Sequence, residues 1–232
     1  GEVTDFAMLP DWKLAVSSNG PEIALFPEYA QSMHCSFLRG HTQAVISLAV
    51  CEDVLVSGSR DHSMRIWYAG KSICCEGHTD SVSSVAICKT SPSTFVVASA
   101  SGDLTVKLWH FDAVSGSCQA VWTVKAHEKE INALCFSPCT KMLISASQDK
   151  SVRIWSVTEG KLMHTLNGHK RGVWSVACVK GQEALLATGS ADRTIKLWRL
   201  CEDFSCVKTF EGHANSVLRI GFMNSATQLV SA

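Results

Sequence analysis

An Asp followed six residues later by a Trp occurs four times in this chain, as Asp61–Trp67, Asp103–Trp109, Asp149–Trp155 and Asp192–Trp198. A His precedes each pair: His41, His78, His127 and His169. A fifth start opens at Gly212–His213, and successive His starts are 37, 49, 42 and 44 residues apart. Self-similarity at this period means one supersecondary unit repeated, each copy with a face that only a neighbour can bury. That constraint removes most folds before composition is considered.

The unit from Gly168 to Trp198 shows what repeats. Residues 173–178 (VWSVAC) and 184–188 (ALLAT) read as short apolar strands, and 194–198 (TIKLW) alternates as a half-buried strand does. Gly189-Ser190-Ala191-Asp192 has tight-turn composition. A hydroxyl stands four residues before each turn Asp, at Ser57, Ser99, Ser145 and Thr188. With the His, Asp and Trp it forms a four-member polar set. The indole N–H can donate to the hydroxyl, the hydroxyl to the His, and the His to the carboxylate. A His-Asp-Ser set also suggests a catalytic triad, but catalysis needs one site, and a structural tie explains why the set recurs. The expected fold is all-β: a propeller of four-stranded antiparallel blades.

The expected organisation is a single propeller fragment over 1–232. It has a degenerate partial blade at 1–39, repeats at 40–76, 77–125, 126–167 and 168–211, and the start of a truncated repeat at 212–232. A seven-bladed ring needs roughly 290 residues, so about five to six blades are expected here, cut from a longer protein. Aligning Ile23–Phe26 with Ile195–Trp198 puts Phe26 at the Trp place, Gly20 at the Asp place and Val16 at the hydroxyl place. That first blade is expected to hold by packing alone.

The eleven Cys are an odd number, and several fall in strands, where Cys acts as a small apolar residue. None shows zinc spacing with supporting His, so no metal and no cofactor is expected. Free thiols in this number fit a reducing compartment, and no apolar run suits a membrane. Charge is balanced at 21 basic and 21 acidic residues, yet 126–199 holds 11 basic and 6 acidic, while the rest holds 10 and 15. A localised phosphate-binding sector is one reading of that asymmetry and chance variation on solvated faces is the other.

In a propeller the His loops and Asp turns gather at one end. Lys129, Lys150, Lys170, Arg171 and Arg193 sit on those loops in the basic stretch, and Arg60 beside Asp61 can extend the arc. Trp174 stands where other units carry Ile46, Ser83, Asn132 and Leu218. Strict alternation turns it away from the core Val173, either as an interface anchor beside Lys170 and Arg171 or as packing against the next blade. Trp122 reads as outer-strand packing, and Trp12 carries no reading.

These features resemble the WD40 family. Three stretches, 126–134, 168–174 and 208–213, together with 190–198, are similar to one subgroup: the transducin-beta-like, U-three snoRNA-associated WD subunit of the small-subunit processome. The likeness covers most of 35–232 and resembles the second of that family's two propellers. It implies a non-catalytic scaffold for 18S pre-rRNA processing in the nucleolus. The implied partners are other UTP-B and processome proteins, and a backbone contact with pre-rRNA or snoRNA is allowed. No membrane and no small-molecule substrate are implied. The WD dipeptide is replaced by Trp67-Tyr68, Trp109-His110, Trp155-Ser156 and Trp198-Arg199. The family's C-terminal helical region is not in this sequence.

Other functions fit less well. Ubiquitin-ligase substrate receptors carry Trp-Asp-x-Arg at a blade strand end, which none of the four Trp sites has. A G-protein β-type subunit needs an N-terminal coiled-coil helix, where 1–40 reads as strands and turns. A propeller enzyme needs a unique nucleophile–base pair. The alternative that stands is a generic WD40 interaction scaffold in another nuclear or cytosolic assembly.

Overall fold

The structure is a computed structural model and describes residues 2–10, 13–27, 35–179, 185–200, 203–223 and 228–232. Trp12, Ala184 and Cys201 lie outside those residues. The chain divides into two compact units, Gly1–Thr123 and Val124–Ala232.

The first unit carries three antiparallel sheets of four strands. Sheet one holds β1 (Val3–Met8), β2 (Leu14–Ser18), β3 (Ile23–Phe26) and β4 (Ser36–Leu38). Sheet two holds β5 (Val45–Cys51), β6 (Val54–Ser59), β7 (Met64–Tyr68) and β8 (Lys71–Cys75). Sheet three holds β9 (Val82–Lys89), β10 (Thr94–Ser101), β11 (Thr105–Asp112) and β12 (Ser117–Lys125). In the second unit, sheet four holds β13 (Ile131–Phe136), β14 (Met142–Ser147), β15 (Val152–Ser156) and β16 (Leu162–Leu166). Sheet five holds β17 (Val173–Val179), β18 (Leu185–Ser190), β19 (Ile195–Arg199) and β20 (Cys206–Phe210), and a hairpin of β21 (Ile220–Met223) and β22 (Gln228–Ser231) follows. The expected tight turn at Gly189–Asp192 begins later than its composition suggests, because β18 runs through Ser190.

Second strands such as VLVSGS, MLISAS and LLATGS are buried almost end to end, as strands covered on both faces are. Outermost strands such as β12 alternate exposed and half-buried residues. Sheets stack through their first two strands: β5 packs on β1 and β2, β9 on β5 and β6, β17 on β13 and β14, and β21 on β17 and β18. Apolar clusters fill these junctions. Ile144, Val173, Val176, Leu186 and Trp198 lie in one, and Val56, Ile66, Val82, Phe95 and Phe111 in another. Cys75 belongs to the second cluster, and the described cysteines are free thiols.

The first strand of each four-stranded sheet breaks its register one residue in, so that Thr4, Ile46, Ser83, Asn132 and Trp174 are the extra residues of β-bulges. Strict alternation therefore does not govern Trp174. The residue after the bulge reaches the next sheet: Ser47 Oγ accepts the Val85 N–H at 3.2 Å, and Ser175 Oγ accepts the Ile220 N–H at 3.1 Å.

Sheet one uses the same device, which corrects the expectation that it holds by packing alone. Asp5 Oδ2 accepts the Leu48 N–H at 2.9 Å, and Thr4 Oγ1 donates to the Val45 carbonyl at 2.6 Å. The buried Ser17 hydroxyl donates to the Asp5 carbonyl. The sheet lacks the His, hydroxyl and Asp of the repeat, but its first strand supplies polar side chains to its neighbour. The alignment of its other positions agrees with the register, since Val16 pairs with Ala24 and Leu14 with Phe26.

Candidate partner-binding face

In sheet two, Trp67 Nε1 donates to Ser57 Oγ at 2.8 Å, His41 Nε2 meets the same hydroxyl at 2.8 Å, and His41 Nδ1 meets Asp61 Oδ2 at 2.8 Å. Sheet three repeats this with Trp109–Ser99 at 2.9 Å, His78–Ser99 at 2.8 Å and His78–Asp103 at 2.9 Å. Sheet four has Trp155–Ser145 at 2.9 Å, His127–Ser145 at 2.8 Å and His127–Asp149 at 2.9 Å. Sheet five has Trp198–Thr188 at 2.9 Å, His169–Thr188 at 2.7 Å and His169–Asp192 at 2.9 Å. The set assigns the protons: the imidazole gives Nδ1–H to the carboxylate and accepts the hydroxyl proton at Nε2. Burial lowers the pKa of His41, His78, His127 and His169, so the neutral ring is the stable form.

This is the geometry of a Ser-His-Asp triad, but it cannot act as one. Ser57, Ser99, Ser145 and Thr188 are 0% exposed, and each hydroxyl is already engaged by an indole. No substrate carbonyl can approach. The arrangement is a tie between a loop, a middle strand and the strand beside it.

The Asp makes more bonds than the four-member set accounts for. Asp149 Oδ1 accepts the Ser151 N–H at 3.0 Å and its hydroxyl at 2.6 Å, while Asp149 N–H donates to Ser147 Oγ at 3.0 Å. Ser63, Thr105 and Thr194 occupy the place of Ser151 in the other sheets. The recurring hydroxyl two residues after each Asp was the sequence signal for these members. Burial alone would raise the Asp149 carboxyl, but the Ser151 hydroxyl and N–H and His127 outweigh it and bring its pKa down to about 2. Asp61 and Asp103 are held at about 2 in the same way, and Asp192 lies well below the usual carboxylate range.

These bonds fix the backbone and leave particular side chains free. The residue after each Asp is left-handed: His62, Leu104, Lys150 and Arg193 have φ of 68°, 69°, 74° and 69°. Lys150 and Arg193 are exposed. The residue after each His is held by its N–H, as Lys170 N–H is by Asp192 Oδ2 at 2.8 Å, while the Lys170 side chain is exposed. Arg171 is exposed on the same loop. A Cβ at Gly172 would lie 3.0 Å from Gln148 Cα, so any larger residue would have to push this loop off the Asp149 turn by a few tenths of an ångström.

The structure brings Lys170, Arg171 and Arg193 around one cavity. Lys129 and Lys150 are exposed on the neighbouring loop and turn, which the Gln148 N–H joins through the Glu130 carbonyl at 3.0 Å. Arg60 is exposed beside Asp61, in the other compact unit. Among the described residues, Arg39, Lys89, Lys125 and Lys161 are ion-paired to carboxylates, whereas Lys129, Lys150, Lys170, Arg171 and Arg193 are not. Trp174 is half-buried on its bulge, and its Nε1 is buried without a hydrogen-bond partner among the described residues. Its polar tip therefore does not face solvent beside Arg171.

Four stretches match the WD40 family, described as WD domain, G-beta repeat: 32–68, 70–110, 116–156 and 160–199. Each ends one residue after a tetrad Trp. Transducin beta-like protein 3 of Mus musculus is 38% identical over 196 residues, covering 75% of this chain and 24% of that protein. U3 small nucleolar RNA-associated protein 13 of Saccharomyces cerevisiae is 34% identical over 191 residues, covering 71% of this chain and 23% of that protein. The chain thus spans about a quarter of the length of these curated relatives. The crystal structure of the WD40 beta propeller domain of Doa1 superposes with a TM-score of 0.80 at 23% identity, covering 94% of this chain and 71% of that one.

Proposed function

This chain belongs to the WD40 repeat family, and from that premise we propose that it serves as a non-catalytic scaffold in ribosome biogenesis. On this reading it organises protein partners of the small-subunit processome, within the UTP-B complex in the nucleolus, for 18S pre-rRNA processing. The observation that carries the reading is the 34% identity, over 71% of the chain, to a protein named for its association with U3 small nucleolar RNA. The loops around the tetrads supply the docking face, because cations left without ion pairs are free to meet an acidic partner. Lys129, Lys150, Lys170, Arg171 and Arg193 form that face, with Arg60 as a further contact in the other unit. The tetrads take no part in binding and hold the loops in place.

The test is affinity purification of the full-length protein from cell lysate, with and without RNase, read by mass spectrometry. Recovery of UTP-B subunits in both arms supports a protein-held scaffold. Recovery only without RNase moves the basic face to RNA contact, and a different partner set discards the ribosome-biogenesis assignment.

A further inference from the structure

The cavity beside the Asp192 turn concentrates positive charge. It encloses about 550 Å³ and is lined by Lys170 and Arg171 from the His loop, Asp192 and Arg193 from the turn, and Asn215 and Ser216 from the loop after β20. That volume falls within the range of ordinary ligand sites. Its lining has three cations and one carboxylate. The carboxylate is already occupied: Asp192 Oδ2 receives His169 Nδ1–H and Lys170 N–H, and Oδ1 receives the Thr194 N–H and hydroxyl. None of the three cations has an ion-pair partner among the described residues, so they outnumber the one carboxylate at the cavity wall.

The repeat supplies an internal comparison. At the same register around Asp61 the chain carries Thr42, Gln43, Arg60 and His62, followed by Thr79, Asp80 and Ser81. That set has one Arg where the cavity has three cations, and Asp80 stands where the cavity has the neutral Asn215. Around Asp149 the same register carries Glu128, Lys129, Gln148 and Lys150, followed by Lys170, Arg171 and Gly172, so cations gather there too, but with Glu128 standing where the cavity has Lys170. A cup with no acidic loop residue beside its cations belongs to the repeat of Asp192 and not to the fold.

Two features choose among anions. No aromatic side chain lines the cup, so it offers no platform for stacking bases. Its cations converge on one volume, which suits a single phosphate carrying about −1.5 to −2 charges better than the single charges spaced along a nucleic-acid backbone. We propose that this cup is a binding site for a phosphomonoester carried on a phosphorylated serine or threonine of a partner protein. The proposal rests on the reading of this end as a docking face, and names the chemistry that the face recognises. Lys170 and Arg171 supply charge from one side, Arg193 supplies a forked donor from the turn, and Asn215 and Ser216 add neutral donors.

The test uses the full-length protein and three probes: a degenerate peptide library with a fixed central phosphoserine, the same library unphosphorylated, and a short single-stranded RNA. Fluorescence polarisation measures each against wild type, the Lys170→Ala/Arg171→Ala double variant and Arg193→Gln. Urea midpoints check that the variants are folded. The expected result is preferential binding of the phosphorylated library, competition by inorganic phosphate, and weakening of about tenfold or more in either variant. Equal binding of the two libraries, or phosphopeptide binding that both variants retain, overturns the proposal. RNA binding without phosphopeptide binding also overturns it and assigns the cup to a phosphodiester. Processome partners recovered without any phosphopeptide preference would end this proposal and leave the scaffold reading standing. Phosphopeptide preference without those partners would do the reverse.

Discussion

In sheet one the register pairs Val16 with Ala24 and Leu14 with Phe26, whereas sheet five pairs Thr188 with Lys196 and Leu186 with Trp198 at the same places. Both sheets are four-stranded and both pack through their first strand. They share a sideways bond from the residue after the bulge and differ in what is added to it. Sheet one sends Thr4 and Asp5 sideways to the backbone of sheet two. Sheet five sends Ser175 sideways to the Ile220 N–H and adds an inward tie between its His loop, its turn and its Trp. The second arrangement locks loop and turn through the backbone and buried groups, leaving the residues after His169 and Asp192 free to vary. The tetrad is thus a stabilising device whose functional consequence is a rigid support for variable side chains.

The largest expected break in this comparison comes from the aromatic position. Trp198 is 4% exposed and closes both a core cluster and the tetrad, whereas Phe26 is only half-buried. Trp198→Ala should cost about 3–5 kcal/mol and Phe26→Ala clearly less, read as urea midpoints at constant slope. Next comes the carboxylate. Asp149→Ala should cost about 1–3 kcal/mol by leaving His127 and the Ser151 N–H unsatisfied, and an unchanged midpoint would remove the network from the account. Asp5→Ala removes the carboxylate bond to Leu48, and should cost about 1 kcal/mol.

Acid should separate the two kinds of sheet without mutation. The tetrad imidazoles have folded pKa values below their usual 6.5, so below that pH the unfolded chain takes up protons that the folded chain refuses. Stability present near neutrality should therefore start to fall as pH drops below 6.5. The carboxylates add a second loss, from their usual 3.8 down to about 2 for Asp61, Asp103 and Asp149. Asp149→Asn should flatten that lower limb in a pH series of urea midpoints, and an unaltered limb would contradict the assignment. The smallest effect is at the left-handed turn, where Lys150 has φ 74°. Lys150→Gly should stabilise by no more than about 1 kcal/mol, because glycine adopts that geometry without a Cβ clash.

The period and the tetrad residues were legible because each recurs several times, and recurrence separates a shared structural role from a single site. The hydroxyl two residues after each Asp recurs as faithfully, at Ser63, Thr105, Ser151 and Thr194, yet a four-member set accounted for the His and Trp without it. The bulge at Trp174 was not legible. Alternation describes one strand, while a bulge is a mismatch between two, and here Val173 and Ser175 both keep partners while Trp174 does not. The polar bonds of sheet one were hidden for a related reason: Asp5 bonds to Leu48, 43 residues on, and no repeat motif marks it. In the candidate face, the cations were readable as loop residues. Their convergence on one cavity was not, because Asn215 and Ser216 enter it from the next repeat.

The central claim divides the repeat into a supporting tetrad and a binding set of free cations. Its most direct test is quantitative recovery of protein partners on the full-length Lys170→Glu/Arg171→Glu variant, purified from RNase-treated lysate beside wild type. The account predicts a variant expressed at the wild-type level that loses processome partners, because both side chains are exposed and outside the tetrad bonds. Wild-type recovery of those partners would contradict it and remove the basic face from function.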